Sequence, residues 1–436
     1  MSEASELRAR WARAREASWG LVDQALSSLS NFALTLVAAR SLSARDLGGF
    51  ALAFAAYLTF LGLARAVATE PLTVRFTGAE EHDWRFAAAR STGAAITVGA
   101  IGSVLMVLVG AFWRGPAGLT FLAIAPFLPG LLLQDAWRFA FFARESGARA
   151  AANDAVWALA LGLGIAPLLA AGDRAAWQFA LVWGTSGSLA GLVGIWQAGL
   201  IPRPAQSRVW LQEHRDLIPR FASEFASLFA SGQLALYAIG AVAGLAAVGA
   251  IRAAQVLLGP LNVVFMGTSL FVVPEAVRRA RRDPSSLPAV GLRLSLALVG
   301  AVLAWTSIVA LLPPHLGVSI LGRGWRTGRG LLLPMATTMA GLGMVAGAAT
   351  MLRGLADARR SLTARLVHAA LVVGLATSGA LLGGASGGAW GLALAPLCAA
   401  AIWWRAAFAS LRQARARTEV AMRAGDPVDP EAPLPG

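Results

Sequence analysis

Apolar residues run along almost the whole 436-residue chain in blocks interrupted by short clusters of arginine, glycine and proline. Each block is about 20 residues long, the length an α-helix needs to cross roughly 30 Å of hydrocarbon. Twelve are read, at residues 19–39, 47–69, 87–112, 119–142, 153–171, 176–200, 221–243, 248–273, 289–312, 330–351, 363–382 and 388–408. The pattern predicts an all-α integral membrane protein. Its parts are a basic N-terminal segment (1–18), a six-helix bundle (19–200), a connector (201–220), a second six-helix bundle (221–408) and a tail (409–436). The connector is polar and holds Pro202, Pro204 and Pro219. The tail starts with Arg412, Arg415 and Arg417, which suit an anionic leaflet. From Gly425 it is rich in proline and acidic residues, a composition that favours disorder.

Composition agrees. Hydrophobic residues make up 57%, charged residues 14%, and mean hydropathy is +0.63, against about 45–50% and about 25% in soluble domains. The net charge of +14 would suit nucleic acid, but its distribution gives a simpler account. All 37 basic residues are arginine, and with the N-terminus inside, 28 fall in cytoplasmic segments and 7 in outer ones. Arg65 and Arg252 fall within spans. This is the positive-inside pattern, so both termini are expected in the cytoplasm, with no nucleic-acid partner. The run after Arg8, Arg10, Arg13 and Arg15 is long enough to be a retained first span rather than a cleaved leader. Cys398, the single cysteine, excludes an internal disulfide, and its apolar neighbours suggest that it is packed.

A weak internal repeat follows the helix count. Asp23 precedes Glu224 by 201 residues, Gly48 precedes Gly249 by 201 and Pro71 precedes Pro274 by 203. An even-numbered repeat unit keeps its orientation, which predicts two parallel six-helix bundles.

The hairpin from Trp19 to Phe76 carries groups that a bilayer should exclude. Asp23, Ser27, Asn31 and Thr35 recur every four residues on the first span, a polar stripe that would also serve simply as glue between helices. An aspartate inside a span needs a partner or water. Arg65 and Glu70 lie near the inner end of the second span, and Asp23 enters from the same side, so an Asp23–Arg65 ion pair is expected, standing or alternating with a bound ligand. The alternative is snorkelling of Arg65 to the inner head groups. Asp135 and Arg138, one turn apart, would satisfy each other. Arg252 lies near the outer end of the eighth span. Two arginines at opposite depths suit an anionic ligand, since guanidinium donates parallel hydrogen bonds to phosphate. The longest outer loop, about Pro313 to Arg329, holds His315 and three arginines and is too short for an enzyme domain. Four scattered histidines and one cysteine form no metal-ligand cluster, and a chain without lysine has no phosphate-binding Walker motif. No cofactor, metal or catalytic residue is expected, and the chain is not read as an enzyme.

Trp19-Gly-Leu-Val-Asp-Gln-Ala-Leu-Ser-Ser-Leu-Ser-Asn31, Ala39-Arg-Ser-Leu-Ser43, Asp46-Leu-Gly-Gly-Phe50, Leu63-Ala-Arg-Ala66 and Glu70-Pro-Leu72 resemble the opening of polysaccharide flippases. These form the Wzx-like branch of the multidrug/oligosaccharidyl-lipid/polysaccharide (MOP) exporter superfamily. Arg353-Gly-Leu-Ala-Asp-Ala-Arg359 is similar to the basic loop after the tenth helix. The resemblance implies a MATE-like pair of bundles in the plasma membrane, moving a polyprenyl-pyrophosphate-linked oligosaccharide by alternating access. Membrane lipids, a glycan polymerase and glycosyltransferases are the implied partners. Arg65 and Arg252 are the nominees for binding pyrophosphate or anionic sugar; Asp23, Asn31, Glu70 and Glu224 are those for gating or ion coupling. A cation-coupled multidrug antiporter of the same superfamily is the main alternative, and cavity arginines oppose it. A major-facilitator transporter would carry its basic-acidic loop signature elsewhere, and a glycan polymerase or ligase would need a large outer loop with catalytic acids. The lipid II flippase branch usually has two further helices.

Overall fold

The computed structural model describes the backbone of residues 3–172, 174–226 and 231–424, almost all of it helical and none of it in strands. The acidic, proline-rich end of the tail and the side chains of Arg8 to Arg15 lie outside the described residues. Among the described residues nine helices are long and apolar enough to cross a membrane. One of them, Ala358–Ala416, contains two of the expected spans, divided where Gly383 and Gly384 leave helical geometry. Gly384 adopts a φ of 55°, which a residue with a side chain rarely takes. A pair bent by 59° (Leu245–Leu257 with Gly259–Thr268) and the shorter Ser231–Ala243 complete the twelve.

The first compact unit, Met1–Gln233, contains α1 (Glu3–Ser41), α2 (Ala44–Ala64), α3 (Glu70–Phe76), α4 (Glu81–Phe112), α5 (Pro116–Ile124), α6 (Leu128–Ala143), α7 (Gly147–Ala170) and α8 (Ala176–Ala198). It also takes in α9 (Ser207–Glu213) and α10 (Ile218–Phe225). The sequence assigns residues 201–220 to a connector and begins the second bundle at 221, whereas the compact boundary falls at Gln233–Leu234. The basic N-terminal segment is continuous with the first span as one helix.

Local chemistry accounts for the joints. Ser43 caps α2 by accepting from the Asp46 N–H at 3.1 Å. Gly115, at φ 99°, makes the turn that lets Pro116 open α5. Helix pairs close over small residues: a Cβ on Gly191 would lie 2.6 Å from the Gly130 carbonyl oxygen, so α6 and α8 meet backbone to backbone. Trp84, Trp137, Trp183 and Trp210 fill the interior. The outward faces carry exposed Ile101, Val104, Leu105, Leu108 and Leu163, as a lipid-facing surface requires.

Between α2 and α3 the helix widens into one π-type turn, Arg65–Thr69, where the Glu70 N–H reaches back to the Arg65 carbonyl. The cause is two residues on: Pro71 has no N–H to give to the carbonyl of Val67, four residues before it. That carbonyl is taken by the Trp210 indole N–H of α9 at 2.9 Å, and the next, Ala68, by the Ser91 hydroxyl of α4 at 3.0 Å. The connector is thus docked on the break. Arg75 donates to the Glu213 carbonyl and to Asp216, Arg90 to Gln206 and Glu213, and Arg85 to the Gly199 carbonyl. His214, 2% exposed, stacks on Trp210 at 3.9 Å with its Nδ1 on the Trp210 carbonyl.

The second unit, Leu234–Gly436, holds α11 (Ser231–Ala243, from Leu234), α12 (Leu245–Leu257), α13 (Gly259–Arg282), α14 (Leu287–Leu311), α15 (Pro314–Leu321), α16 (Arg323–Gly328), α17 (Leu332–Gly354) and α18 (Ala358–Ala424). Its core packs α13, α14 and α17 with α18 around Leu287, Met351, Leu352 and Trp403. Its bent span breaks ahead of Pro260, and again an indole meets a freed carbonyl, Trp305 donating to Leu257 at 2.9 Å. Cys398 is exposed rather than packed, on an outward face of α18.

Two outcomes follow. Trp210→Phe leaves the Val67 carbonyl unpaired and should cost about 1–3 kcal/mol. Trp183→Phe removes an indole N–H that is buried without a partner, so thermal unfolding of the two variants in detergent should show a clear deficit for Trp210→Phe alone. Burial holds the His214 imidazole below the usual histidine range. The contribution of its neutral form is therefore present above about pH 6.5 and lost as pH falls through the lower folded value. Arg75 opposes that protonation, while Glu213 and Asp216 favour it. Once corrected for the intrinsic slowing of exchange at lower pH, amide protection at residues 67–70 should fall on acidification in the native protein and stay constant in His214→Phe.

Candidate functional site

One turn of α6 organises the polar interior of the first unit. Gln134 and Arg138 lie four apart on one face, and Asp135 is turned toward the π-type segment. Arg65 grips Asp135 with two parallel bonds, Nε to Oδ2 at 2.9 Å and Nη2 to Oδ1 at 2.6 Å. Asp135 is nearly buried, whereas the Arg65 side chain remains 36% exposed and lies 5.2 Å from the Phe139 ring. Arg138 pairs through Nε with Asp23 of α1, which is fully buried, and donates to Gln24 at 3.0 Å.

The partners are therefore exchanged relative to the sequence expectation. Asp23 does not pair with Arg65, and Asp135 does not pair with Arg138. Both pairs run between helices, Arg65 reaching Asp135 of α6 and Arg138 reaching Asp23 of α1.

On the far side of Arg138 the network continues into α7 and α8. Gln134 Nε2 donates to Asp154 at 2.6 Å and to Asn153 at 3.2 Å. Asn153 Nδ2 donates to the Ala190 carbonyl and to Gln197. Asn153, Asp154 and Gln134 are all buried. The sequence reading missed Asn153 and Asp154 because it began the fifth span at residue 153. The helix starts at Gly147, which sets Asp154 two turns inside it. A polar Asn-Asp pair within an alanine-rich helical run was the available signal.

Asp23 Oδ1 and Asp154 Oδ2 are buried without a hydrogen-bond partner, and the two carboxylates are near neighbours. With Arg138 as the shared counter-charge, the cluster carries one excess negative charge when both are ionised. It can accommodate a proton or a monovalent cation. No group of three or more metal-ligating side chains occurs among the described residues.

The remaining nominees separate. Asn31 donates to the Ser27 carbonyl of its own helix at 2.8 Å, and Thr35 to that of Asn31, so the stripe beyond Asp23 is satisfied internally. Glu70 is half-buried after the break, within electrostatic reach of Arg65 and of Glu224. Glu224 is exposed on α10, whose Phe225 ring occupies the space a Cβ on Gly62 would need. Arg252 belongs to the second unit, half-buried on α12, and donates to Gln255 at 3.2 Å.

Asp23→Asn removes the carboxylate that Arg138 bonds directly but leaves Asp154 nearby to balance it, so the loss of stability should stay below the roughly 3–5 kcal/mol of a fully unpaired buried charge. In Asp23→Asn/Arg138→Gln the loss should be smaller than the sum of the single losses. Additive losses in a double-mutant cycle would show that the pair is not coupled.

No protein-family model matches the chain, and no curated protein matches it in sequence. Solved structures do match. An inward-facing multidrug resistance MATE family transporter of the MOP superfamily is similar at a TM-score of 0.64 and 12% identity, over 91% of this chain and 99% of that one. Lipid II flippase MurJ, in an inward closed conformation, gives 0.62 and 11% over 95% and 94%. A MOP superfamily transporter from Pyrococcus furiosus, described as having a binding pocket of reversed polarity, gives 0.52 and 13% over 93% and 96%. At such identities the likeness speaks to architecture: this chain is an all-α, multi-pass membrane protein with the fold of the MOP superfamily transporters.

Proposed function

We propose that this chain moves a polyprenyl-pyrophosphate-linked oligosaccharide across the plasma membrane by alternating access, without altering it chemically. The observation that carries this reading is Arg65. Its guanidinium sits in the π-type break of the second span, oriented by the fork of Asp135, with a third of its side chain still exposed. A permanently charged, half-engaged guanidinium is suited to a diphosphate, which can share or replace Asp135. Arg252 is the corresponding basic group of the second unit. Glycosyltransferases and a polymerase would supply and consume such a cargo, and the loop arginines favour cytoplasmic termini.

A cation-coupled exporter of drugs is favoured by one separate feature, the excess negative charge shared by Asp23 and Asp154. In the flippase reading that pair takes the coupling ion, and Glu70 with Glu224 lies beside the gate at the break.

A leaflet-specific assay of lipid-linked sugar separates the two. In a deletion strain complemented with Arg65→Ala, inner-leaflet lipid-linked sugar should accumulate, with flipping reduced by at least about tenfold, the loss of roughly 1.4 kcal/mol of binding. Arg65→Lys should recover part of it. Unchanged sugar distribution together with lost drug resistance would favour the antiporter.

A further inference from the structure

Three carboxylates occur between Leu234 and Ser410, namely Glu275, Asp283 and Asp357. Each is engaged locally: Glu275 by Arg278 and Arg279, Asp283 by Ser285, and Asp357 by Arg360. Between Pro284 and Ala356 there is none, yet Arg323, Arg326 and Arg329 recur there every three residues. On the orientation read from the loop charges this is an outer loop, where basic residues are ordinarily sparse.

The fold gathers them into a ledge. α15 and α16 form a tight hairpin through Gly322, at φ 54°, and α15 closes so near to α16 that a Cβ on Gly317 would overlap the Trp325 indole. Trp325 is buried beneath and the Arg329 guanidinium lies 5.3 Å over its ring, which fixes that charge in place. Arg326 and Arg329 line a depression of about 720 Å³ with His315, Ser319, Pro314 and Val318. Among the described residues neither arginine has an ion-pair partner. α15 has two edges: His315 and Ser319 face the depression, while Leu316 and Ile320, also four apart, are exposed. That is the pattern of an interfacial helix, with one edge for hydrocarbon and one for head groups.

We propose that this ledge is a phosphate site, distinct from the cargo-bearing break in the first unit. Arg326 and Arg329 take the phosphate oxygens and His315 and Ser319 border them. Leu316 and Ile320 lie where the chain of an anionic amphiphile would run. A phospholipid head group and free phosphate offer the same anion, and the apolar edge favours the lipid. The inference rests on membrane placement and not on the identity of the cargo.

Binding can be read on the purified full-length protein in neutral detergent by native mass spectrometry and thermal shift. The probes are phosphatidylglycerol, phosphatidylcholine and inorganic phosphate. Phosphatidylglycerol should bind at least about tenfold more tightly than phosphatidylcholine, and Arg326→Gln/Arg329→Gln should abolish that preference. Arg326→Lys/Arg329→Lys should keep part of it, which guards against simple misfolding. Leu316→Ser/Ile320→Ser should weaken phosphatidylglycerol but not inorganic phosphate. Tighter phosphatidylglycerol assigns the site to lipid, and equal binding of inorganic phosphate assigns it to the free anion. Equal binding of the two lipids, or a preference unchanged in the Gln variant, overturns the proposal. Either result leaves the transport reading standing, because no transport is measured.

Discussion

A helix inside hydrocarbon can be broken only where something else satisfies the backbone groups it releases. Much of this fold follows from that requirement. Pro71 withholds an N–H, Val67 and Ala68 look outward, and the Trp210 indole and Ser91 hydroxyl come to meet them. Because Trp210 belongs to the connector, the connector must dock on the first unit, and the arginines of α3 and α4 hold it there. In the second unit the Leu261 N–H bonds the Leu258 carbonyl at the bend, and the Trp305 indole takes the carbonyl of Leu257. Each unit thus has a break in its second span with an indole on a carbonyl beside it.

The break also sets the electrostatics. Widening the helix at Arg65 turns its side chain toward α6, where Asp135 fixes it. A buried guanidinium in hydrocarbon is expensive unless it is paired and hydrogen-bonded. The same turn of α6 sends Arg138 the other way, to Asp23 and Gln24. One helical turn therefore divides the interior into two arginine–aspartate pairs. One, at Arg65, is partly exposed, and the other, at Arg138, is closed and lies near Asp154. Under the proposed function, an anionic cargo and a coupling ion would occupy separate places, linked through residues one turn apart on a single helix.

Helix count, class and the unusual weight of the first hairpin were legible in the sequence, because hydrocarbon thickness and the exclusion of charge act on every span alike. Asp23, Arg65 and Glu70 stood out for the same reason. The pairings were not legible. Periodicity places residues on faces but does not say which face meets which helix, so Asp23 was matched to the arginine at similar depth when its partner was Arg138. Asp154 was hidden at a presumed span edge, since alanines before it read equally well as loop or helix. The docking of the connector depended on one indole reaching one carbonyl, an interaction with no periodic signature.

The central claim is that the break at residues 65–69 is where the diphosphate of the cargo engages the protein. Hydrogen exchange by mass spectrometry across residues 60–76, with and without a short polyprenyl diphosphate, tests it directly. The account predicts ligand-dependent protection centred on the amides from Ala66 to Glu70 that is lost in Arg65→Ala. Protection confined to other spans, with the break unchanged at saturating ligand, would contradict it.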